Sequence, residues 1–511
     1  MGNEIAKEIK PVPSSFGIFT MRFHLKQGAI SLLHTPKDVK DVIRQTIKQT
    51  WGGGIQNEAD PHPVMHVIKL GGFQADRFWD SRAMVMFCEC LNELGKLGWH
   101  LHAAPDLFLT LDDAELIFIK DKVVDSHHVF ALRIADEDCF KLVNADSKIK
   151  DAIRQSIVSY SRLKAEKALD NERHAFRIEG SPWDPDDQVQ REIGIKIMTG
   201  VFRNLANIGY GMVAPACLDG DQDTIFFEKM SHVKTDVSYA TVMLVESDGL
   251  MLFKFPKNVL DSVKKMCEID WPPGLRSFKS VSDHAMLAKL RDAPWRVHGK
   301  DDDLIITMEL FMLDLFEKLC LKGWHLVTAA DFSKDITDTS TFFFASGPEG
   351  IRRHYIGLQP VRASKLWLLG MQDAELRAVD KILHATLGSR AILNKDHRVS
   401  NTVEYELAGS PWKPHENSDT LFARHVISVV VAALTASGWR VACCADLQED
   451  YQTINKEIIV KTTEQKKQTA KGASMVGLAP GKKTVTKQKR LTAKSHQACD
   501  LHLLVFVKDA R

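Results

Sequence analysis

Residues 94–99 read Leu-Gly-Lys-Leu-Gly-Trp, and their pattern of a leucine, three further residues, a glycine and an aromatic ring recurs along the chain. The recurrences are Leu205–Tyr210, Leu319–Trp324 and Leu434–Trp439. Successive glycines of the pattern are 111, 114 and 115 residues apart (209−98, 323−209 and 438−323). A pattern that returns at one period indicates a duplicated structural unit. The sequence therefore predicts one fold repeated four times.

Two further landmarks keep the same register. A Gly-Ser-Pro-Trp corner occurs at Gly180–Trp183 and Gly409–Trp412, and Asp292–Trp295 reads Asp-Ala-Pro-Trp. The segment Val39–Ile47 (VKDVIRQTI) matches Ile149–Ile157 (IKDAIRQSI), which lies 110 residues later. Apolar residues recur in both segments at three- and four-residue steps, which is typical of an amphipathic helix. These landmarks place a helix early in each repeat and a proline corner before its second half.

Each repeat reads as β-β-α-β-α-β-β. A polar linker precedes the third strand, and a long apolar helix ends at the glycine of the Gly-Trp pair, which suits a left-handed residue after a helix. Short turns join antiparallel strands, and helices on one face of such a sheet give a two-layer α+β unit. In the first repeat the predicted strands are Phe19–Leu25, Ile30–His34, His66–Leu70, Trp99–Ala103 and Leu116–Lys120.

The predicted organisation is an N-terminal segment followed by four tandem repeats. Links of about ten residues join the repeats, so we expect neighbouring repeats to pack on one another. A basic insertion interrupts the last two strands of the fourth repeat. The predicted boundaries are 1–16 for the N-terminal segment, 17–121, 128–229, 238–346 and 354–508 for the repeats, and about 461–494 for the insertion.

Composition restricts the classes of protein. The 511 residues carry 67 Lys and Arg against 66 Asp and Glu, a net charge of +1, which argues against a chain that coats nucleic acid along its length. The nine cysteines include no Cys-x-x-Cys pair, so we expect buried thiols in a reducing compartment rather than disulfides or zinc knuckles. The N-terminus lacks the apolar core of a secretory signal. The sequence contains no run of about 18 apolar residues, so it predicts no membrane-spanning helix.

No reactive constellation recurs in all four repeats, so the sequence favours a non-catalytic protein with no catalytic, cofactor-binding or metal-binding residues. Asp106, which follows a predicted strand, is typical of a turn cap. His100 and His102 alternate on one strand, and with His62 and His66 they form an alternative metal site. Only one repeat carries this histidine pair, so the expectation remains that no cofactor is bound.

The N-terminus carries a candidate lipidation site at Gly2. Residues 2–7 read Gly-Asn-Glu-Ile-Ala-Lys, which fits N-myristoylation after removal of Met1 except that Ala6 stands where the pattern has Ser or Thr. The segment resembles the myristoylated N-terminus of the catalytic subunit of cAMP-dependent protein kinase at Gly2, Asn3 and Ala6. The resemblance implies a lipoprotein and nothing about the fold. The alternative is an ordinary exposed N-terminus.

The basic insertion is predicted to be a disordered loop, because it is rich in lysine, threonine and glutamine and nearly free of aromatic residues. Like-charged segments of this kind often act as interaction tails. Three targets remain open: an anionic membrane surface, a nuclear-import receptor and nucleic acid contacted through phosphates. A solvated spacer is the fourth alternative. The basic residues singled out are Lys466, Lys467, Lys471, Lys482, Lys483, Lys487, Lys489, Arg490 and Lys494.

The leading functional hypothesis is a non-catalytic tandem-repeat scaffold that binds protein partners. It is expected in the cytoplasm and, through the myristoyl group and the polybasic loop together, at the cytoplasmic face of a membrane, since one acyl chain alone anchors only marginally. One alternative is a small-molecule-binding protein or enzyme with a single active repeat. The other is a nuclear protein that contacts nucleic acid through the basic loop.

Overall fold

The computed structural model of the chain contains two compact bodies. The main body comprises Met1–Glu449 and Cys499–Arg511, and the insertion body comprises Asp450–Ala498. The structure describes residues 8–24, 27–74, 82–108, 114–123, 127–185, 187–218, 223–230, 235–296, 301–330, 340–387, 390–414, 417–447, 457–464, 485–492 and 502–510.

The first two repeats follow the same order of elements, β-β-α-β-β-α-β-β. The elements of repeat one are β1 Ile18–His24, β2 Ala29–Leu33, α1 Lys37–Thr50, β3 Ile55–His62, β4 Met65–Leu70, α2 Ala83–Lys96, β5 Trp99–Ala103 and β6 Glu115–Lys120. Those of repeat two are β7 Val129–Ala135, β8 Cys139–Val143, α3 Ser147–Val158, β9 Leu163–Ala168, β10 Arg173–Ile178, α4 Gln188–Asn207, β11 Tyr210–Cys217 and β12 Asp223–Lys229.

Repeats three and four keep that order. The elements of repeat three are β13 Tyr239–Val245, β14 Gly249–Phe253, α5 Lys257–Ile269, β15 Leu275–Ser282, β16 Ala285–Leu290, α6 Asp302–Leu321, β17 Trp324–Ala330 and β18 Thr341–Ser346. Those of repeat four are β19 Arg353–Val361, β20 Lys365–Leu369, α7 Asp373–Thr386, β21 Ile392–His397, β22 Val403–Leu407, α8 Asn417–Ala436, β23 Arg440–Ala445 and, beyond the insertion, β26 Leu503–Asp509.

Each repeat forms a six-stranded antiparallel sheet, in repeat one with the order β3-β4-β2-β1-β6-β5, so the predicted α+β fold in four copies is confirmed. The difference from the sequence prediction is one extra strand per repeat. The segment read as a polar linker is the outer edge strand, β3, β9, β15 or β21. In β3, β9 and β21 the backbone pairs with the sheet while most side chains face solvent, so these sequences lack an apolar alternation.

The glycine of each Gly-aromatic pair ends the long helix as predicted. Gly98, Gly209, Gly323 and Gly438 have φ values of +80°, +85°, +78° and +86°, a left-handed conformation that glycine adopts without a Cβ clash. The tryptophans of the proline corners, Trp183, Trp295 and Trp412, are fully buried. Both landmarks therefore have structural roles in each repeat where they occur.

The long helix of each repeat packs on the sheet of the following repeat. Helix α2 contacts β7, α4 contacts β13, α6 contacts β19, and α8 returns to contact β1 of repeat one. The inner edge strands β5, β11, β17 and β23 also contact one another in sequence, and β23 contacts β5. The main body is therefore a closed ring of four repeats.

The ring explains why the first strand of repeat one is buried on both faces. In β1, Phe19, Met21 and Phe23 lie in the core formed by the helices of the same repeat. The neighbouring Ile18 lies in a second core that contains residues of α8. A sheet covered on both sides reads as a continuous apolar run rather than an alternation.

The ring closes between repeats four and one through a buried polar network. The Arg424 guanidinium of α8 donates from Nε to Glu115 Oε1 at 2.8 Å and from Nη1 to Ser31 Oγ at 2.7 Å. Arg424 and Glu115 are each 1% exposed. The chain ahead of β1 adds to this contact, because Ile9 and Val12 are buried in the core around α8.

In the insertion body, β24 Glu457–Glu464 pairs antiparallel with β25 Val485–Thr492. The sequence predicts a disordered loop over about 461–494, and within that range the structure describes paired strand at 461–464 and 485–492. Both strands contain β-branched valine, isoleucine or threonine, which favour extended structure. The intervening residues 465–484 lie outside the described part of the chain.

One helix among the described residues has a stretch long and apolar enough to cross a membrane. This stretch, Asp419–Ala436 in α8, is 78% buried inside the protein. A core helix of a folded domain passes the same test of length and composition, and α8 has a core position in the ring.

Candidate metal centre between the first and second repeats

Three potential metal ligands meet where repeat one joins repeat two. His100 lies in the inner edge strand β5, opposite Ile119 of β6. Glu228 lies in β12 and pairs with Val129 of β7. His127 belongs to the link between the repeats, two residues before β7. Packing of repeat one on repeat two thus brings together side chains that are up to 128 residues apart.

The distances within this group are short. His100 Nδ1 lies 3.3 Å from Glu228 Oε2, and His127 Nε2 lies 3.9 Å from the same oxygen. One ligand atom from each of the three residues lies within 4.8 Å of the others. The two imidazole rings meet edge to face, with centroids 5.2 Å apart. We refer to His100, His127 and Glu228 as the two-histidine cluster.

His100 is held in a fixed orientation from its far side. Its Nε2 lies 3.1 Å from the Lys122 carbonyl oxygen and donates to it, which leaves Nδ1 directed at Glu228. The hydrogen bond with Glu228 raises the pKa of His100 above its usual value, against the opposing effect of burial.

His127 occupies a space that a glycine leaves open. The His127 side chain is 3% exposed, and burial lowers its pKa, with Glu228 acting in the opposite direction. A Cβ placed on Gly95 of α2 would lie 2.0 Å from His127 Cδ2. The ring can therefore reach Glu228 only because residue 95 has no side chain.

The equivalent positions at the third–fourth junction have different chemistry. Strand register places His325 where His100 lies, opposite Ala345, and Val507 where Glu228 lies. Arg353 takes the place of His127, and its Nη1 lies 3.2 Å from His325 Nδ1. Arg353 also donates from Nε to Asp509 at 2.7 Å. A side-chain cation is thus built into this junction.

The structure does not assemble the histidine set that the sequence suggested as an alternative metal site. The two-histidine cluster includes His100 but not His102, whose strand has a register shift between Leu101 and Ala103 that interrupts the regular alternation. His66 instead contacts Asp60 and Glu58 at 2.9 and 3.1 Å. His127 and Glu228 carried no sequence signal, because their proximity depends on which strands of different repeats adjoin.

The other predicted site residues lie mostly outside the described part of the chain. This holds for the lipidation site Gly2 and for Lys466, Lys467, Lys471, Lys482, Lys483 and Lys494 of the insertion. Lys487, Lys489 and Arg490 lie in β25. The Asp106 carboxylate accepts from the Phe108 backbone N–H at 3.2 Å, as a turn cap does.

A cleft of about 920 Å³ lies between repeats three and four. Asp314 and Glu317 of α6 line it together with His354 and Trp439. Burial, reinforced by the nearby Glu317, raises the pKa of the Asp314 carboxyl. The cleft is therefore a second place where titratable side chains gather between repeats.

Comparison with known proteins identifies the repeated unit. No curated protein and no solved structure matches the chain. A family model that describes a single domain matches four times, at residues 18–118, 128–228, 238–345 and 354–463. These matches cover most of the chain; the first three span the first three sheets, and the fourth spans β19–β23 of the fourth sheet but not β26. The chain therefore belongs to this domain family and carries four tandem copies of its domain.

Proposed function

We propose that the protein is a non-catalytic tandem-repeat scaffold that holds different protein partners on the outer edges of its ring. The closed ring of four repeats carries this proposal, because it fixes four copies of one sheet relative to one another. A rigid frame lowers the entropic cost of presenting several binding surfaces at once.

The outer edge strands supply surfaces that differ between repeats. Their sequences are IQNEADPH, LKAEKA, LRSFKSVS and ILNKDH. In β21 the apolar Leu393 is 59% exposed, whereas β9 presents the exposed Lys167 at its edge. An extended peptide can add to an exposed sheet edge through its backbone, and side chains then select the partner. The same frame can in this way recognise four different segments.

Two single-edge variants test the scaffold function. Leu393→Glu alters the edge of repeat four and Lys167→Glu that of repeat two, and both side chains are exposed, so the fold should survive. Affinity capture from cells with each full-length variant should lose different partners. Identical captured proteins in both variants and the wild type, or turnover in an activity screen with no captured protein, would contradict the scaffold function.

Attachment to the cytoplasmic face of a membrane is part of the same proposal. It rests on the sequence of the Gly2 segment and on the basic insertion, since an acyl chain and a polybasic patch together anchor stably. Intact-mass measurement on protein from eukaryotic cells should show a myristoyl group on Gly2. Co-sedimentation with phosphatidylserine vesicles should then fall in a Gly2→Ala variant and in a variant lacking residues 465–484. An unmodified Gly2 contradicts the anchor.

The second candidate function is binding of a small molecule in the cleft between repeats three and four. The raised pKa of Asp314 beside Glu317 favours it, because perturbed carboxyl groups cluster at binding and catalytic sites. Ligand screening by thermal shift should find compounds that stabilise the wild type but not Asp314→Leu. Tight, strongly salt-dependent binding of DNA that is lost on deletion of residues 465–484 would instead favour a nucleic-acid function.

A further inference from the structure

We propose that His100, His127 and Glu228 bind one zinc ion that ties repeat one to repeat two. Two imidazole nitrogens and one carboxylate oxygen form a ligand set that zinc uses in proteins, with a fourth position left for water. Imidazole suits transition metals such as zinc rather than magnesium or calcium, which prefer oxygen ligands. The proposal does not depend on the scaffold function.

The ligand spacing fits a tetrahedral ion after a small contraction. Zinc–nitrogen and zinc–oxygen bonds of about 2.0–2.2 Å at tetrahedral angles place neighbouring ligand atoms about 3.3–3.5 Å apart. The distance from His100 Nδ1 to Glu228 Oε2 is already 3.3 Å, and that from His127 Nε2 to the same oxygen is 3.9 Å. The ligand atoms of the two histidines lie within 4.8 Å of each other, so the imidazoles must approach each other when the ion binds.

Groups around the two-histidine cluster orient its side chains as the surroundings of a metal site do. Metal-binding histidines usually donate their second ring N–H to a carbonyl or carboxylate, which fixes the ring and its tautomer. The contact of His100 Nε2 with the Lys122 carbonyl oxygen provides this support and directs Nδ1 inward. Gly95 leaves the room that lets the His127 ring approach. Glu228 is 31% exposed in its side chain, which leaves a path for the ion to enter.

The third–fourth junction has no second histidine at the equivalent position, and this difference supports a metal site that is specific to the first–second junction. There His325, which takes the place of His100, faces the Arg353 guanidinium rather than a second histidine. At the second–third junction the positions equivalent to His100 and Glu228 are Gly211, which is opposite Glu228, and Ala345, which is opposite Tyr239, and neither has a side chain that can bind a metal. The first–second junction thus provides ligands for a bound metal ion at the place where the third–fourth junction has the Arg353 guanidinium.

Calorimetric titration of the tag-free, full-length protein with Zn²⁺ tests the proposal. The wild type should bind one equivalent of zinc at this site. Removal of one ligand, by His127→Gln or Glu228→Gln, should weaken binding on the order of 100-fold or more, because loss of a group that only orients a ligand already costs about 10–100-fold. His102→Gln, two residues along the same strand from His100, is the matched control and should bind as the wild type does.

Two further measurements keep the test decisive if a variant is unstable. Thermal unfolding without metal shows whether each variant folds, and zinc should raise the midpoint of the wild type and of His102→Gln by several degrees but not that of the ligand variants. Co²⁺ in place of Zn²⁺ should give the visible absorption of a tetrahedral site only where all three ligands remain. No zinc binding by the wild type, or equal binding by every folded variant, would overturn the proposal.

Discussion

Arg424 shows how one residue can determine which repeats adjoin. It lies 14 residues before Gly438, and the residue at the same distance before Gly323 is Glu309 (438−424 and 323−309). Arg424 reaches Glu115, Ser31 and the hydroxyl of Thr20 in repeat one, the last at 3.4 Å. A buried ion pair that loses one partner leaves an uncompensated buried charge, which is strongly destabilising. We infer that this network favours closure of repeat four on repeat one.

Replacement of Arg424 by alanine should therefore destabilise the ring strongly. The change leaves the Glu115 carboxylate buried without its cation, which typically costs about 3–5 kcal/mol. The double variant Arg424→Met with Glu115→Leu removes both charges and should recover most of that loss. Urea unfolding of the single and double variants measures the difference. Equal midpoints for the two variants would show that the buried charge is not the cause.

Glu309 should make the stability of the protein depend on pH. It is 1% exposed, and burial raises its pKa from 4.5 to about 8. The folded state therefore holds a proton that the unfolded state releases between those pH values, so stability falls as pH rises from 4.5 to 8. Each pKa unit corresponds to about 1.4 kcal/mol, which gives a loss of up to about 5 kcal/mol.

The variant Glu309→Gln should remove this part of the pH dependence, because a neutral amide needs no proton. Urea unfolding at pH 5 and pH 8 should show a smaller loss of stability for the variant than for the wild type. Glu349→Gln, at an exposed position, is the control and should keep the wild-type difference. A variant whose loss of stability between these pH values matches that of the wild type would show that Glu309 is not the group responsible.

At the scale of elements, the sequence predicts a helix or a helix end where the backbone geometry requires a particular pattern of side chains. The left-handed glycine after each long helix and the helix in Val39–Ile47 could be predicted because both leave a local signature. The outer edge strands could not, because β9 exposes nearly all its side chains and pairs only through its backbone. In the insertion, the high charge of the β25 sequence favours a loop, although the strand also contains β-branched residues.

The helix-ending glycines permit a matched comparison. A Cβ at Gly323 would lie 2.8 Å from the Gly347 carbonyl oxygen, whereas at Gly438 the nearest atom is Lys508 Cε at 3.6 Å. Both positions are left-handed, so alanine costs about 1–2 kcal/mol at either. Gly323→Ala should lose additional stability through the backbone contact. Thermal unfolding should give the lower midpoint for Gly323→Ala, and the reverse order would contradict the role of that contact.

At the scale of the whole molecule, the sequence predicted neighbouring repeats in contact but not a closed ring. One signal was present: β7 reads VFALRIA and is buried along its length, as expected of a strand covered on both faces. Which helix covers the second face depends on contacts between residues hundreds of positions apart, as for Arg424 with Ser31. The two-histidine cluster depends on the same kind of contact, so of its three members the sequence indicates only His100.

The closure between repeats four and one also contains a pair of neutral histidines. His34 Nδ1 lies 3.5 Å from the Val12 backbone N–H and accepts from it, so His34 Nε2 carries the proton and donates to His425 Nδ1 at 2.9 Å. Burial, and then the charge of Arg424, lowers the pKa of His34 to about 3. Burial likewise lowers the pKa of His425 well below its usual value.

Acid should therefore open the ring at this closure before the other junctions. The unfolded state takes up protons on these histidines below about pH 6.5 while the folded state does not, so the stability of the closure falls as pH falls from 6.5 towards 3. For His34 alone the loss at pH 5 is about 2 kcal/mol. Hydrogen exchange at pH 5, corrected for the intrinsic rate, should show more frequent opening in residues 9–16 and in β1 than in β13.

His34→Gln, which keeps a donor near His425, should reduce this difference, whereas His397→Gln at the exposed end of β21 should leave it unchanged. Equal protection of β1 and β13 at pH 7 and at pH 5 would show that the histidine pair does not control closure.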